Sequence, residues 1–139
     1  MIQRGPLPLR LILRLRSLRQ LLDQHSFWAC GRTPRQLIRM LWGSAAVVSV
    51  WQGQRLLGFG RATSDGVFRA VLWDVVVAGD WQGRGLGRRI VRALLQSPRV
   101  RKAERVYLMT TNSAGFYHRL GFQDSHGQKL LVRSGPTSA

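Results

Sequence analysis

Residues 73–92, WDVVVAGDWQGRGLGRRIVR, combine a strand, a glycine-rich loop and the start of a helix. The β-branched segment at residues 74–77 is typical of a buried strand. After a short turn, three glycines fall within residues 82–87, and apolar residues then recur at helical spacing from Leu86 onward. This order of elements predicts that the stretch forms the centre of an α/β fold.

A strand followed by a glycine loop and a helix N-terminus is suited to holding phosphate. Glycines lack a Cβ atom, so backbone N–H groups can approach an anion closely. The first helical turn leaves N–H groups unpaired and carries the positive end of the helix dipole. The loop lacks the Gly-Lys-Ser/Thr ending of a P-loop, and Arg88 stands where a dinucleotide fingerprint has its third glycine. The alternative is a glycine-containing turn that binds nothing.

Composition restricts the class of protein. A chain of 139 residues can bury a single core, so we expect one domain over residues 1–139. No apolar run approaches the ~20 residues of a membrane span, and we expect no membrane partner. The single cysteine, Cys30, excludes an internal disulfide. The three histidines are scattered without metal-ligand spacing, so we expect no metal.

The charge is strongly positive, with 22 basic and 6 acidic residues giving a net +16. Such a surface attracts polyanions, among them nucleic acid, acidic proteins, headgroups and phosphorylated cofactors. All the basic residues except Lys102 and Lys129 are arginine, which favours codon bias in a GC-rich genome over a functional explanation. Because acids are scarce, each carboxylate in the chain stands out.

The N-terminal third predicts one strand and two helices. Residues 7–15 alternate leucine or isoleucine with arginine and proline, which favours a first strand over a cleaved leader. Ser17 is a candidate N-cap for a short helix. Thr33 and Pro34 predict the start of a second helix that ends at Gly43. The side chains that this second helix is expected to bury are Leu37, Ile38, Leu41 and Trp42.

The remainder predicts a sheet. Strands at residues 46–51, 56–62 and 68–77 form an antiparallel meander. The strand at residues 106–109 follows a helix, so it should lie parallel to the segment at residues 74–77. A short helix capped by Asn112 or Ser113 and closed by Gly121 follows, and then a final strand or two. The fold class predicted is α/β, with a central mixed, mostly antiparallel sheet and flanking helices.

Two motifs resemble those of the GNAT superfamily of N-acetyltransferases. The spacing Gln82-x-x-Gly85-x-Gly87 resembles its pyrophosphate-binding motif, Gln/Arg-x-x-Gly-x-Gly/Ala. Residues 116–122, Phe-Tyr-His-Arg-Leu-Gly-Phe, resemble the GNAT signature Phe-Tyr-x-x-Leu-Gly-Phe. The predicted order of strands and helices also resembles the GNAT fold, so the resemblance covers nearly the whole chain. It implies a GNAT fold and an enzyme that transfers acetyl from acetyl-CoA to a primary amine by direct attack in a ternary complex.

The resemblance also implies a role for each matching position. Loop amides would hold the pyrophosphate, and the end of the central strand would pair with the pantetheine arm as a neighbouring strand does. This strand and the next splay apart in the fold, often at a bulge, which opens a slot for the thioester. Tyr117 would protonate the leaving CoA thiolate. The implied cofactor-binding residues are Val75, Val76, Val77, Gln82, Gly83, Arg84, Gly85, Leu86, Gly87, Arg88, Asn112 and Tyr117.

Asp74 is the candidate base that takes a proton from the amine, directly or through a bridging water, because it is an acid inside an apolar strand. The alternative is an aspartate that points outward and pairs with an arginine. An aspartate with the ordinary pKa of ~3.9 is a poor base for an ammonium of pKa ~10. Burial would have to raise the pKa of Asp74, or Asp74 merely orients the amine. We expect Asp80 to be solvated, and His25 and His126 to be ordinary surface or loop residues.

Residues 72–87 and 107–111 resemble the plastid and cyanobacterial branch of GNATs. That branch includes serotonin N-acetyltransferases and protein lysine or N-terminal acetyltransferases, so two acceptor classes are implied. The basic surface repels a polyamine or a lysine-rich tail, which favours an arylalkylamine such as serotonin. The alternative function is a basic nucleic-acid-binding module on a GNAT scaffold, whose binding would fall steeply with salt. We expect the bacterial or cyanobacterial cytoplasm, or a plastid in a eukaryote; a homodimer is left open.

Overall fold

The computed structural model describes the backbone of residues 2–5 and 9–136, and the chain divides into two compact units, Met1–Met109 and Thr110–Ala139. The expectation of one domain stays a prediction. The strands of the first unit are β1 (Ile2–Gly5), β2 (Ala46–Gln52), β3 (Arg55–Ser64), β4 (Arg69–Val77) and β5 (Arg105–Tyr107). Its helices are α1 (Leu9–Leu13), α2 (Leu15–His25), α3 (Pro34–Trp42), α4 (Leu86–Gln96) and α5 (Pro98–Arg101).

The five strands form one sheet in the order β1-β2-β3-β4-β5. Neighbours pair antiparallel from β1 to β4, and β4 pairs parallel with β5. The parallel pair follows from the helical crossover, because a helix returns the chain to the end of the sheet where the preceding strand began. The predicted α/β fold with a mixed, mostly antiparallel sheet is confirmed.

Helices cover both faces of the sheet. Phe59 of β3 is buried with side chains of α1, α2 and α3 in one apolar cluster. Gly58 and Gly60, which flank Phe59, face Ile90 of α4 instead. Successive side chains of a strand point to opposite faces, so α4 packs on the face opposite α1–α3. The two glycines let α4 approach β3 closely, because a Cβ atom at either would lie 2.7 Å from an Ile90 carbon.

The predicted strand at residues 7–15 is wrong where the structure describes it. Residues 9–13 and 15–25 are helical, and the first strand is Ile2–Gly5, paired with β2; residues 7 and 8 lie outside the described residues. Leu11, Leu18 and Leu22 are buried, whereas Leu13 is 83% exposed. The apolar residues therefore follow helical spacing rather than the alternation expected of a strand. Ser17 lies inside α2, so it is not the predicted cap.

Helix α3 begins as predicted. The Thr33 hydroxyl accepts from the Gln36 amide at 3.2 Å, and the Gln36 side chain accepts from the Thr33 amide at 2.9 Å, which completes a capping box. Gly43 ends the helix. Leu37 and Leu41 are buried as expected, but Trp42 is 57% exposed, so its predicted burial is wrong.

The described residues of the second unit contain one short helix, α6 (Ala114–His118), with Ser113 at its N-cap. Gly121 has φ +95°, the left-handed conformation expected after the helix. Phe116 and Phe122 both pack edge-to-face on Tyr117. Residues 123–136 form no strand, so the predicted final strands are not found in the described part of this unit.

Every helix within the described ranges is too short or too polar to span a bilayer.

Candidate active site

Strand β4 carries a bulge at its centre. Phe59 pairs with Val76 and Arg61 pairs with Trp73, so Asp74 and Val75 together face the single residue Gly60. Asp74 has φ +54°, the only positive φ of a non-glycine residue in the described chain. A bulge bends its strand and redirects the side chains around it, and bulges are frequent beside active sites.

Strand β5 is much shorter than β4 and pairs only with its first residues. Strand β5 pairs only with Arg69–Val71 through Arg105–Tyr107, although β4 continues to Val77. The predicted parallel pairing of residues 74–77 with β5 is therefore wrong in register. From residue 72 to residue 77, the β5 side of β4 has no strand partner among the described residues. An open strand edge of this kind can pair with an extended ligand.

The glycine loop connects β4 to α4 in the conformation that the glycines allow. A 3-10 turn, Gly79–Trp81, precedes it. Gly83 and Gly85 have φ +77° and +81°, and Gly85 is the N-cap of α4. Open space surrounds both positions, so backbone conformation rather than crowding explains why they are glycine. The Gln82 side-chain amide donates to the Val77 carbonyl at 3.1 Å, which ties the loop to the end of β4.

Six consecutive amides of this loop and helix start are free. In the described part of the chain, the N–H groups of residues 83–88 donate to no protein acceptor, and the Arg89 amide is the first to bond, to the Gly85 carbonyl at 3.2 Å. Arg84 lies over the Trp81 ring at 4.6 Å, and Arg88 and Arg89 are exposed. Free amides at a helix N-terminus, together with positive side chains, form an anion site.

Asp74 lies at the centre of a buried ion-pair cluster. Its carboxylate is 3% exposed. Oδ1 accepts from Trp28 Nε1 at 3.1 Å and from Arg32 Nη2 at 3.3 Å. Oδ2 accepts from Arg32 Nη1 at 2.9 Å and from Arg61 Nε at 2.8 Å. The alternative of an aspartate that points outward is wrong, because the Asp74 side chain is buried. The arginine pairing that this alternative included is present, with both Arg32 and Arg61 as partners.

These partners decide the charge state of Asp74. Burial raises the pKa of the carboxyl, but hydrogen bonds and ion pairs from Arg32 and Arg61 together outweigh burial and hold the pKa below its ordinary value. The raised pKa required for a direct base is therefore contradicted. Sequence spacing could not reveal this, because Arg32 lies 42 residues and Arg61 13 residues away along the chain.

Two further residues beside the loop bond to distant parts of the chain. Asp80 is exposed, as expected, and it receives two hydrogen bonds from Arg55, at 2.6 and 2.8 Å. His25 is half-buried and not an ordinary surface residue. Its Nδ1 accepts a hydrogen bond from the Gly79 amide at 3.2 Å. This bond attaches the end of α2 to the turn before the glycine loop. A lone histidine in a predicted loop carried no signal of this bond.

The second unit holds the two remaining candidates. Asn112 is exposed, and its Oδ1 accepts from the Ser113 hydroxyl at 3.3 Å. Tyr117 is half-buried, and burial raises the pKa of its phenol, which therefore stays protonated at neutral pH. His118 bonds Asp124 at 2.7 Å. Within the described ranges, no group of His, Cys, Asp or Glu side chains is arranged to hold a metal ion.

The model of the acetyltransferase (GNAT) family matches residues 15–122, which span parts of both compact units. The chain belongs to the GNAT acetyltransferase family. A putative GNAT acetyltransferase of Xanthomonas campestris has a similar structure, with TM-score 0.80 and 26% identity over 98% of this chain and 94% of that one. The predicted GNAT fold is thereby confirmed.

The curated relatives of this GNAT chain include plastid proteins. An uncharacterized N-acetyltransferase of Pyropia yezoensis is 38% identical over 62% of this chain and 53% of that protein. Chloroplastic serotonin N-acetyltransferase 2 of Oryza sativa is 44% identical over 49% of this chain and 34% of that protein. The chain thus spans about half the length of the first of these relatives and a third of the second. These matches give no support to the nucleic-acid alternative.

Proposed function

We propose that this GNAT chain transfers the acetyl group of acetyl-CoA to a primary amine by direct attack in a ternary complex. The observation that carries the proposal is the run of six free amides at residues 83–88, which follows the open end of β4. Pyrophosphate has the charge and the acceptor oxygens that such amides require. Family membership supports acetyl-CoA as the molecule that brings the pyrophosphate.

The open edge of β4 supports the second half of the cofactor site. A pantetheine arm has amide groups, so it can pair with residues 75–77 as an added strand. The acyl carbon then lies beside the bulge, where a strand amide can donate to the thioester oxygen. Negative charge develops on that oxygen when the amine attacks, and a fixed donor stabilises it. Asn112 would contact the cofactor arm.

Tyr117 is the proposed acid. When the tetrahedral intermediate collapses, the carbon–sulfur bond breaks and its electron pair leaves on the CoA sulfur. A phenol can then donate its proton to that thiolate, and the proton that the amine nitrogen loses as the amide forms returns to the phenol through solvent. Burial raises the pKa of Tyr117, which keeps the phenol protonated at neutral pH but makes it a weaker acid, so the proposed transfer depends on its contact with the thiolate.

The proposed acceptor is an arylalkylamine such as serotonin, with a protein lysine or N-terminal amine as the alternative. The rice relative is named a serotonin N-acetyltransferase, whereas a relative from Glycine max is named a histone acetyltransferase. Phe27 is 72% and Trp28 49% exposed, and the two rings pack edge-to-face at 5.1 Å. Trp28 donates to Asp74 at the bulge, so this aromatic pair supports an acceptor with an apolar ring.

CoA release from acetyl-CoA tests the proposal. Serotonin, tryptamine, a lysine peptide and spermidine are offered in parallel to the wild type, to Tyr117→Phe and to Tyr107→Phe. Tyr107 is the only other tyrosine of the chain, so its variant is the matched control. We expect turnover on serotonin or tryptamine that falls at least tenfold in Tyr117→Phe and less than twofold in Tyr107→Phe.

Other results contradict parts of the proposal separately. Turnover only on the lysine peptide would agree with the proposed acetyl transfer but would show that the acceptor is a protein lysine and not an arylalkylamine. Binding of acetyl-CoA without turnover on any of the four amines would refute the acceptor proposal. Absence of acetyl-CoA binding would refute the interpretation of the six amides. A cytoplasmic or plastid location and dimerisation stay predictions.

A further inference from the structure

We propose that Asp74 is a positioning residue: clamped by Arg32 and Arg61, it fixes the bulge of β4 and with it the strand end that receives the thioester. The effect of Asp74 on activity rests on the proposed acetyl transfer, whereas its effect on strand conformation does not. It replaces the role of proton acceptor that the sequence suggested for Asp74.

The conformation of Asp74 requires a restraint. With φ +54°, its backbone lies in the left-handed region, where the Cβ atom is crowded. Aspartate tolerates this region better than most residues, but it adopts it within a strand only when the surroundings hold it there. The residue that faces the bulge, Gly60, is followed directly by Arg61, one of the two arginines on the carboxylate.

The clamp joins three segments of the chain. Arg61 belongs to β3, whereas Trp28 and Arg32 belong to the loop between α2 and α3. Their four bonds divide equally between the two carboxylate oxygens. Asp74 thereby fixes the loop that carries the exposed Phe27 and Trp28 rings against the bulge of β4. Loss of the carboxylate would release the loop, and it would release the strand as well when residue 74 cannot hold the left-handed conformation without restraint.

The same contacts disfavour proton transfer to Asp74. Both oxygens already accept charged hydrogen bonds, and the charged groups packed against the carboxylate are the guanidinium groups of Arg32 and Arg61. One negative and two positive charges leave the cluster at +1, so an approaching ammonium ion is repelled. A bridging water would have to compete with both arginines for the carboxylate.

Substitutions at position 74 separate conformation from proton transfer. Asp74→Asn keeps the shape and an accepting oxygen, and tolerates a positive φ. Asp74→Gly and Asp74→Ala both remove the carboxylate, but only glycine adopts the left-handed region without strain. The control is Glu104→Gln, which removes an exposed carboxylate paired with Arg69 at 3.4 Å. Each variant is assayed for kcat and KM against pH, with CoA release as the readout.

A positioning role predicts an order of activities. We expect Asp74→Asn to retain kcat within tenfold and to keep the acidic limb of the wild-type pH profile. We expect Asp74→Gly to exceed Asp74→Ala at least fivefold in kcat/KM for acetyl-CoA, because the bulge survives in the glycine variant. The proposal is overturned if the three variants lose kcat equally, by a hundredfold or more, and the acidic limb disappears with the carboxylate.

Amide hydrogen exchange tests the clamp without any turnover. We expect protection of residues 58–62 and 73–77 to fall at least tenfold in Asp74→Ala and to recover in Asp74→Gly. Protection in Asp74→Ala equal to that of the wild type would overturn the clamp even if the enzyme is active. Should the wild type release no CoA from any acceptor, the proposed function fails and the exchange result still decides the conformational role.

Discussion

Gly60→Ala tests the close approach of helix α4 to the sheet. Gly60 does not have a positive φ, so its conformation does not require glycine. The lack of space requires glycine, because a Cβ atom there would lie 2.7 Å from Ile90 Cγ2 and 3.1 Å from Leu94 Cδ1. Cγ2 is attached directly to Cβ of Ile90, so it cannot move unless χ1 changes or the whole helix shifts. Both routes disturb the packing that positions the glycine loop.

The expected cost follows from two opposing effects. An extra methyl in a packed core destabilises by about 1–3 kcal/mol. Replacing glycine by alanine at a compatible φ stabilises by about 0.4–1 kcal/mol through the unfolded state. The net loss of unfolding free energy is thus about 0–2.6 kcal/mol, and the middle of this range, about 1.3 kcal/mol, lowers Tm by roughly 4–5 °C for a chain of this size. Because α4 begins at the six free amides, we also expect a severalfold weaker affinity for acetyl-CoA.

Urea unfolding of a double-mutant cycle isolates the cause. At Gly58 the close atom is Ile90 Cδ1, at 2.7 Å, and not Cγ2. Ile90→Val removes Cδ1 but retains Cγ2, and alone costs about 0.5–1.5 kcal/mol. Ile90→Val should therefore remove the steric clash in Gly58→Ala, with a favourable coupling free energy of about 1 kcal/mol. It should leave the clash in Gly60→Ala unchanged, because Cγ2 is still present.

Two results would refute this reasoning. If Gly60→Ala is more stable than the wild type, as a glycine-to-alanine change in open space is, α4 does not approach the sheet as closely as the contact with Cγ2 requires. If Ile90→Val relieves both alanine variants equally, the two glycines do not meet different atoms of Ile90. Acetyl-CoA affinity measured on the same proteins shows whether the displacement of α4 reaches the loop.

Three further predictions concern single positions. Thr33→Ala should lower the unfolding free energy by about 1 kcal/mol in urea titration, because the capping box is lost; Thr111→Ala, an exposed loop threonine, is the control and should change it little. The pKa of Asp74 is depressed in the folded state, so its stabilisation is present above the unfolded pKa of ~3.9 and is lost as pH falls through the folded pKa. The stability gap between the wild type and Asp74→Asn should accordingly be largest near neutral pH and shrink below about pH 4; a gap that stays constant with pH would contradict the ion pairs. Gly85→Ala places a side chain at φ +81°, a strain of about 1–2 kcal/mol, and should weaken acetyl-CoA binding in calorimetry, whereas Gly127→Ala should not.

The sequence alone predicted the features that depend on neighbours along the chain. The strand, glycine loop and helix at residues 73–92 form as their local pattern indicates, and so do the Thr33 cap and the hairpin between β2 and β3. Each is specified by backbone preferences and by bonds that close within a few residues, which the order of residue types records directly. The parallel orientation of β5 and β4 followed from the helix that connects them and needed no long-range contact.

Tertiary structure decided what depends on partners distant in sequence. Alternating leucine and arginine at residues 9–15 fits a strand or a helix, and burial of Leu11 against the sheet selected the helix. The pairing of β5 with the start of β4, which opens the strand end, is a matter of register that spacing does not specify. The charge state of Asp74 depends on Arg32 and Arg61, which only the folded chain brings within 3.3 Å of its carboxylate. Coulomb energy and desolvation depend on distance and burial in space, so a sequence can name the acid but cannot determine its pKa.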